Sequence, residues 1–174
     1  MSSDPSFDTL GQPPQAPTLT PEEAQQRAAQ SHRMAAAFGE IVSVLMRSAP
    51  YRNATLAQIE RLVVPAVLTG QFSLAEAQSK ESGFMAPVGV VLWASVDTPS
   101  ETVLSSAPDA YQRLTPQEWK SGDVVWLIDA VGDSRVIGAM LKHLHQTTWS
   151  SRVVKAHMKG EDGVTAVRTL TAPA

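Results

Sequence analysis

Asp129 is the residue whose type and setting first suggest chemistry. It ends the apolar run "VVWLI" and precedes a loop and a helix-patterned segment. In open sheets, ligands collect at the carboxyl ends of strands. A carboxylate there needs a partner, and buried without one it tends to be neutralised. A capping or salt-bridged aspartate is the plainer alternative, and the pattern leaves both open. The loop "VGDSRVIG", with Val131, Gly132, Arg135 and Gly138, brings backbone amides to a helix N-terminus, which suits an anionic or amide-rich ligand. An ordinary strand-to-helix turn has the same spacing. The loop is not a phosphate-loop or dinucleotide fingerprint, and Gly-x-Ser-x-Gly is absent. His143 and His145 stand two apart on a predicted helix, point in different directions and cannot easily grip one metal. His32 and His157 have no carboxylate at ligand spacing, so structural or surface roles are expected, and no metal site. Trp93, Trp119, Trp126 and Trp149 are scattered, and read as core and groove lining rather than a stacking platform for bases.

The elements that must position these residues are announced by caps and periodicity. "TPEE" opens a first helix, with Thr20 as cap, Pro21 at the first helical position and Glu23 completing a capping box. Met34, Ala37, Phe38, Ile41, Val44 and Leu45 recur at helical spacing, and the helix should stop before Pro50. Leu56, Ile59, Leu62, Val63 and Ala66 mark a second helix, capped by Thr55 or Asn53, bent or closed by Pro65 and ended by Gly70. "QFSLAEA" and "APVGVVLWASV" read as strands joined through the polar turn "QSKESG". "SETVLSS" reads as a short helix, "TPQEWKSGD" as a loop and "VVWLIDAV" as a buried strand. Val136, Ile137, Met140, Leu141 and Leu144 mark a helix capped by Asp133 or Ser134, and a terminal hairpin turns at "KGEDG". This order predicts α+β or α/β, one layer of sheet with helices packed on it.

Composition narrows the classes of function. Of 174 residues, the first 19 hold Pro5, Pro13, Pro14 and Pro17 among polar residues, a mixture expected to stay disordered as a leader. Residues 20–174 are then a single domain. A formal net charge of -3 with no block of Lys or Arg argues against nucleic acid. With no cysteine, disulfides, a thiol nucleophile and thiolate metal sites are excluded. The N-terminus does not read as a secretory signal, and the apolar run Phe84 to Val96 is too short to cross a bilayer. A cytoplasmic protein with no integral membrane segment is expected.

"SAPYRN", "VVPAV", "VLWAS", "WKSGD" and "WLID" occur in that order and spacing over about residues 41–160. Together they resemble the toxin-activating lysine acyltransferases, the hemolysin-activating proteins of RTX toxin systems. The resemblance implies an α+β, GNAT-like mixed sheet. It also implies transfer of a fatty acyl group from acyl carrier protein, as acyl donor and with no bound cofactor, to an internal lysine of a protoxin or other protein. In that family a histidine followed by a basic residue and an aspartate on a later strand form the catalytic pair. The aspartate carries over to Asp129. The histidine position, before Arg52 and Asn53, holds Tyr51, and a polar position of the second helix holds Leu62.

Lysine attack on a thioester needs a neutral amine and a base with a pKa near ambient pH, which histidine supplies. A phenol of pKa about 10 is ionised about one part in a thousand at neutral pH, a handicap of roughly 4 kcal/mol for a lone base. Tyr51 remains able to act as an acid for the leaving thiolate or to orient the acyl carbonyl, with Asp129 or its water collecting the proton. The site expected from the resemblance pairs Asp129 and Tyr51, with Arg52, Asn53, Trp93, Trp126 and the loop of Val131, Gly132, Arg135 and Gly138 receiving the acyl chain and its carrier. Arg52 would pair with Asp129 or meet the acidic carrier. A buried ring closing the turn after Pro50 is the alternative for Tyr51. A catalytically impaired relative that binds carrier, acyl chain or protein is the alternative for the chain, and acetyl transfer from coenzyme A is a third. The Ala-rich stripe "RMAAAF" offers either a homodimer seam or a face for the sheet.

Overall fold

Thr20 and Glu23 start the first helix as their spacing requires. The Glu23 carboxylate accepts from the Thr20 N–H at 2.8 Å, and the Glu23 N–H donates to the Thr20 hydroxyl at 3.2 Å. The computed structural model describes residues 20–78, 80 and 83–171. The predicted leader, and residues 79, 81 and 82 of the predicted turn, lie outside them. By its contacts the chain divides inside helix α1 (Pro21–Arg47), into residues 1–33 and residues 34–174. The second unit carries α2 (Leu56–Thr69), β1 (Phe72–Gln78), β2 (Met85–Val96), α3 (Thr98–Ser106), β3 (Val124–Gly132), α4 (Ser134–Gln146), β4 (Val154–Lys159) and β5 (Thr165–Leu170).

Local chemistry sets the ends of these elements. Thr55 and Gln58 form a reciprocal capping box at the start of α2, and Gly70 ends the helix at φ 70°, a conformation open to glycine. Pro65 does not close α2. The helix continues to Thr69, whose hydroxyl donates to the Pro65 carbonyl at 2.7 Å. Asp97 caps α3 and Asp133 caps α4.

The sheet runs in the order β1-β2-β3-β4-β5, antiparallel except for the β3–β4 pair. A mixed sheet of this kind needs a crossover between its parallel strands, and α4 supplies it. The alternating side chains build two cores. On one face Val90, Leu92, Ala94, Trp126 and Val131 pack with Ile41, Val44 and Leu45 of α1, Leu62, Val63 and Ala66 of α2, and Leu104 of α3. On the other, Val91, Trp93, Val125 and Val154 pack with Met140 and Leu144 of α4 and with Trp149. The result is a mixed α+β arrangement, three helices on one face and one on the other, consistent with a GNAT-like fold.

The strand that carries Asp129 follows the run "VVWLIDAV" and ends one residue later at Gly132, so Asp129 lies inside it rather than at its end, because Ala130 and Val131 each still have a core to face.

Candidate active site

Strand β3 changes phase at the residue that matters. Trp93 lies opposite Leu127 and Leu92 opposite Asp129, so Ile128 is an extra residue, a β-bulge. Before the bulge Leu127 faces the α4 core and Trp126 the α1–α2 core; after it Ala130 faces α4 and Val131 faces α1 and α2. Strict alternation from Leu127 would turn Asp129 toward α4. The bulge puts Ile128 and Asp129 on one face, the side where Leu92 packs with α1 and α2.

That face is where Tyr51 stands. Its ring packs against the α1–α2 core, and it closes a short 3-10 turn, Ala49–Tyr51, between the end of α1 and the cap of α2. The turn is tied by the Tyr51 N–H to the Ser48 carbonyl at 3.1 Å and by the Ala54 N–H to the Tyr51 carbonyl at 3.0 Å. The Tyr51 hydroxyl donates to Asp129 Oδ2, and the Ala130 N–H donates to Oδ1 at 2.7 Å. Burial pushes the Asp129 carboxyl above the ordinary aspartate range, and the Ala130 N–H opposes that shift. The two residues singled out by sequence and resemblance therefore meet, with the aspartate charge-disfavoured and the phenol as its donor.

The other expected residues are distributed more widely. Arg52 and Asn53 are exposed on the turn, and the partners of Asp129 are Tyr51 and Ala130 rather than Arg52. Arg52 and Tyr51 border an apolar cavity of about 290 Å³ between α1 and α2, lined by Phe38, Val42, Met46, Leu56 and Ile59 among others. Trp93 and Trp126 do not share a groove. They stand on opposite faces of the sheet, in different cores, and both are buried. Val131 is buried in the α1–α2 core, whereas Gly132, Arg135 and Gly138 are exposed at the start of α4. There Asp133 Oδ1 accepts from the Arg135 N–H at 2.9 Å. A carboxylate already caps the helix, so this end favours amides over anions.

Two features had no sequence signal. The α1–α2 cavity is one. The other is a fork: β3 and β4 pair only from Val125↔Val154 to Leu127↔Ala156 and then part. A cavity of about 110 Å³ opens there, lined by Trp126, Ile128, His157, Tyr111 and Leu104 among others. Among the described residues no group of three His, Cys, Asp or Glu gathers to hold a metal, and no helix is long and apolar enough to cross a membrane.

A helix-flanked mixed sheet thus brings a half-buried Tyr–Asp pair beside an apolar cavity and a strand fork. A family model described as the RTX toxin acyltransferase family matches residues 30–171, and the chain belongs to that family. Membership makes it a toxin-activating acyltransferase by class, with a protoxin as the substrate the family implies. A comparison with curated proteins gave no match.

Proposed function

We propose that this chain moves a fatty acyl group from acyl carrier protein to the ε-amine of an internal lysine of a protoxin, in the cytoplasm, with the Tyr51–Asp129 pair as its proton acceptor. The observation that carries the reading is the hydroxyl of Tyr51 donating to a half-buried, charge-disfavoured Asp129.

This pair answers the objection to tyrosine as a base. A lone phenol would have to ionise first, at roughly 4 kcal/mol near neutral pH. Bonded to Asp129, Tyr51 passes its own proton to the carboxylate as it takes one from the attacking amine, so no phenolate need form. The raised pKa of Asp129 brings its basicity closer to ambient pH, where a general base is most effective. The lysine nitrogen bonds to the thioester carbon, the carbon–sulfur bond breaks, and the carrier's thiolate leaves, with the amine's proton left on the Tyr51–Asp129 pair.

The surroundings fit the other parts of the substrates. The cavity between α1 and α2 is apolar and borders Tyr51, which suits the acyl chain. Beyond Leu127 the backbone of β3 has no strand beside it on the β4 side, leaving groups that suit the amides of a carrier's arm. Arg52, exposed beside Tyr51, suits an acidic carrier.

The test is intact-mass analysis of a protoxin fragment incubated with acyl-loaded carrier and this protein, beside Tyr51→Phe, Tyr51→His and Asp129→Ala. An acyl mass gain that Asp129→Ala loses and Tyr51→His keeps supports the pair as proton acceptor. A gain that survives in both Asp129→Ala and Tyr51→Phe overturns it. No gain from any form, with carrier bound, would leave a binding protein on an acyltransferase fold.

A further inference from the structure

His157 stands on the opposite bank of the fork from Asp129. Continuing the parallel register past Leu127↔Ala156 sets His157 beside Ile128, one residue from Asp129. Trp126 and Lys155 are paired in that register, and Trp126 belongs to the α1–α2 core, so His157, two residues after Lys155, shares the face that Asp129 uses. The ring is fixed on both sides. Its Nε2 lies 2.7 Å from the Leu104 carbonyl of α3, and it packs 5.5 Å from Trp126 between ring centroids. A carbonyl only accepts, so Nε2 carries the hydrogen and Nδ1 is left to take or give a proton. The charged groups on this side include Lys155 and Glu101, which pair with each other, Asp129, and Asp109 beside Tyr111. Tyr111 shares the cavity, and burial pushes its phenol up, which keeps it neutral.

We infer that His157 is a further catalytic residue, the acid that protonates the departing thiolate. The inference rests on the acyl-transfer reading above. The Tyr51–Asp129 pair takes the proton of the amine on the α1–α2 side. A thioester held against that pair, with its arm leaving through the fork, brings its sulfur to His157. As the carbon–nitrogen bond forms and the carbon–sulfur bond breaks, the proton on Nδ1 passes to sulfur. Solvent then returns a proton to His157 and removes one from Asp129, so each turnover balances. His157 gives no sign of this in the sequence, because neither periodicity nor spacing reveals that β3 and β4 separate beside it.

The experiment compares two donors of the same acyl chain. One is the carrier-bound alkyl thioester; the other is an aryl thioester whose thiolate leaves without needing a proton. His157→Gln keeps a side-chain N–H for the Leu104 carbonyl but holds no titratable group. Transfer from the alkyl thioester should fall by about tenfold or more, and transfer from the aryl thioester should change by less than about threefold. Activity with the aryl donor shows at once that the variant is folded, and His157→Asn gives the same comparison if the glutamine variant does not fold. An equal loss with both donors, or no loss with the alkyl thioester, overturns the role of His157 while leaving acyl transfer standing. No transfer by the wild-type chain from either donor overturns the acyltransferase reading and this role with it.

Discussion

Burial pushes the Asp129 carboxyl above the ordinary aspartate range, against the Ala130 N–H that pulls it down. Between the unfolded value, about 3.9, and the raised folded one, the native state binds more protons than the unfolded chain. The stability contributed by this shift is therefore fully present below the unfolded value and is lost as pH rises through the folded one. Asp129→Asn, which cannot ionise, should abolish transfer yet melt at or above the wild-type temperature at about pH 7, with the gap narrowing toward about pH 4. A variant melting clearly below wild type at about pH 7 would mean that the hydrogen bonds to the carboxylate outweigh its burial. Asp129 was legible in the sequence as a carboxylate at the end of an apolar run. Its partner was not: the donor lies 78 residues away, and only the family resemblance brought Tyr51 forward. Trp93 and Trp126 were read as lining one groove, because no pattern within one strand says which core each face meets.

The elements were more readable than the contacts between them. Caps at Thr20, Thr55 and Asp133, the glycine stop at Gly70 and the helical stripes located α1, α2 and α4, because these signals are local, whereas "SETVLSS" was read as a short helix without its Asp97 cap. The bulge at Ile128 and the early parting of β3 from β4 were invisible, since both are properties of pairing between distant segments. Two substitutions test the local account. Thr55→Ala removes the reciprocal cap of α2 and should cost about 1 kcal/mol in denaturant unfolding. It should also slow transfer, because the cap anchors the turn that carries Tyr51; an unchanged rate would detach that turn from its cap. Gly132 has φ +149°, and a Cβ there would stand 2.8 Å from the Val88 carbonyl oxygen and 2.9 Å from Gly89 Cα. Gly132→Ala should therefore cost about 1–3 kcal/mol, read as a lowered denaturation midpoint; a neutral effect would mean that β2 and β3 can separate there freely.

Across residues 34–174, the sheet divides the labour between its faces: α4 covers one with an apolar core, while α1, α2 and α3 cover the other around the Tyr51–Asp129 pair. The apolar side chains of the α1–α2 cavity do not all serve stability. Leu56 is 88% exposed, so Leu56→Asp should shift unfolding by no more than about 0.5 kcal/mol, while lowering transfer of long acyl chains more than short ones. Equal effects on both lengths would remove the cavity from the acyl path. The fork has a consequence for motion as well. Past Ala156, β4 has β5 for a neighbour and β3 no longer beside it, and Met158 and Val164 lie exposed. Such a two-stranded ribbon is marginal by itself, so its amides should trade hydrogen for deuterium well before those of Val90 or Val125 in the cores. A donor arm that lies in the fork would act as the missing strand, and its arrival should appear as slowed exchange on both banks, from Ile128 to Val131 and at His157 and Met158.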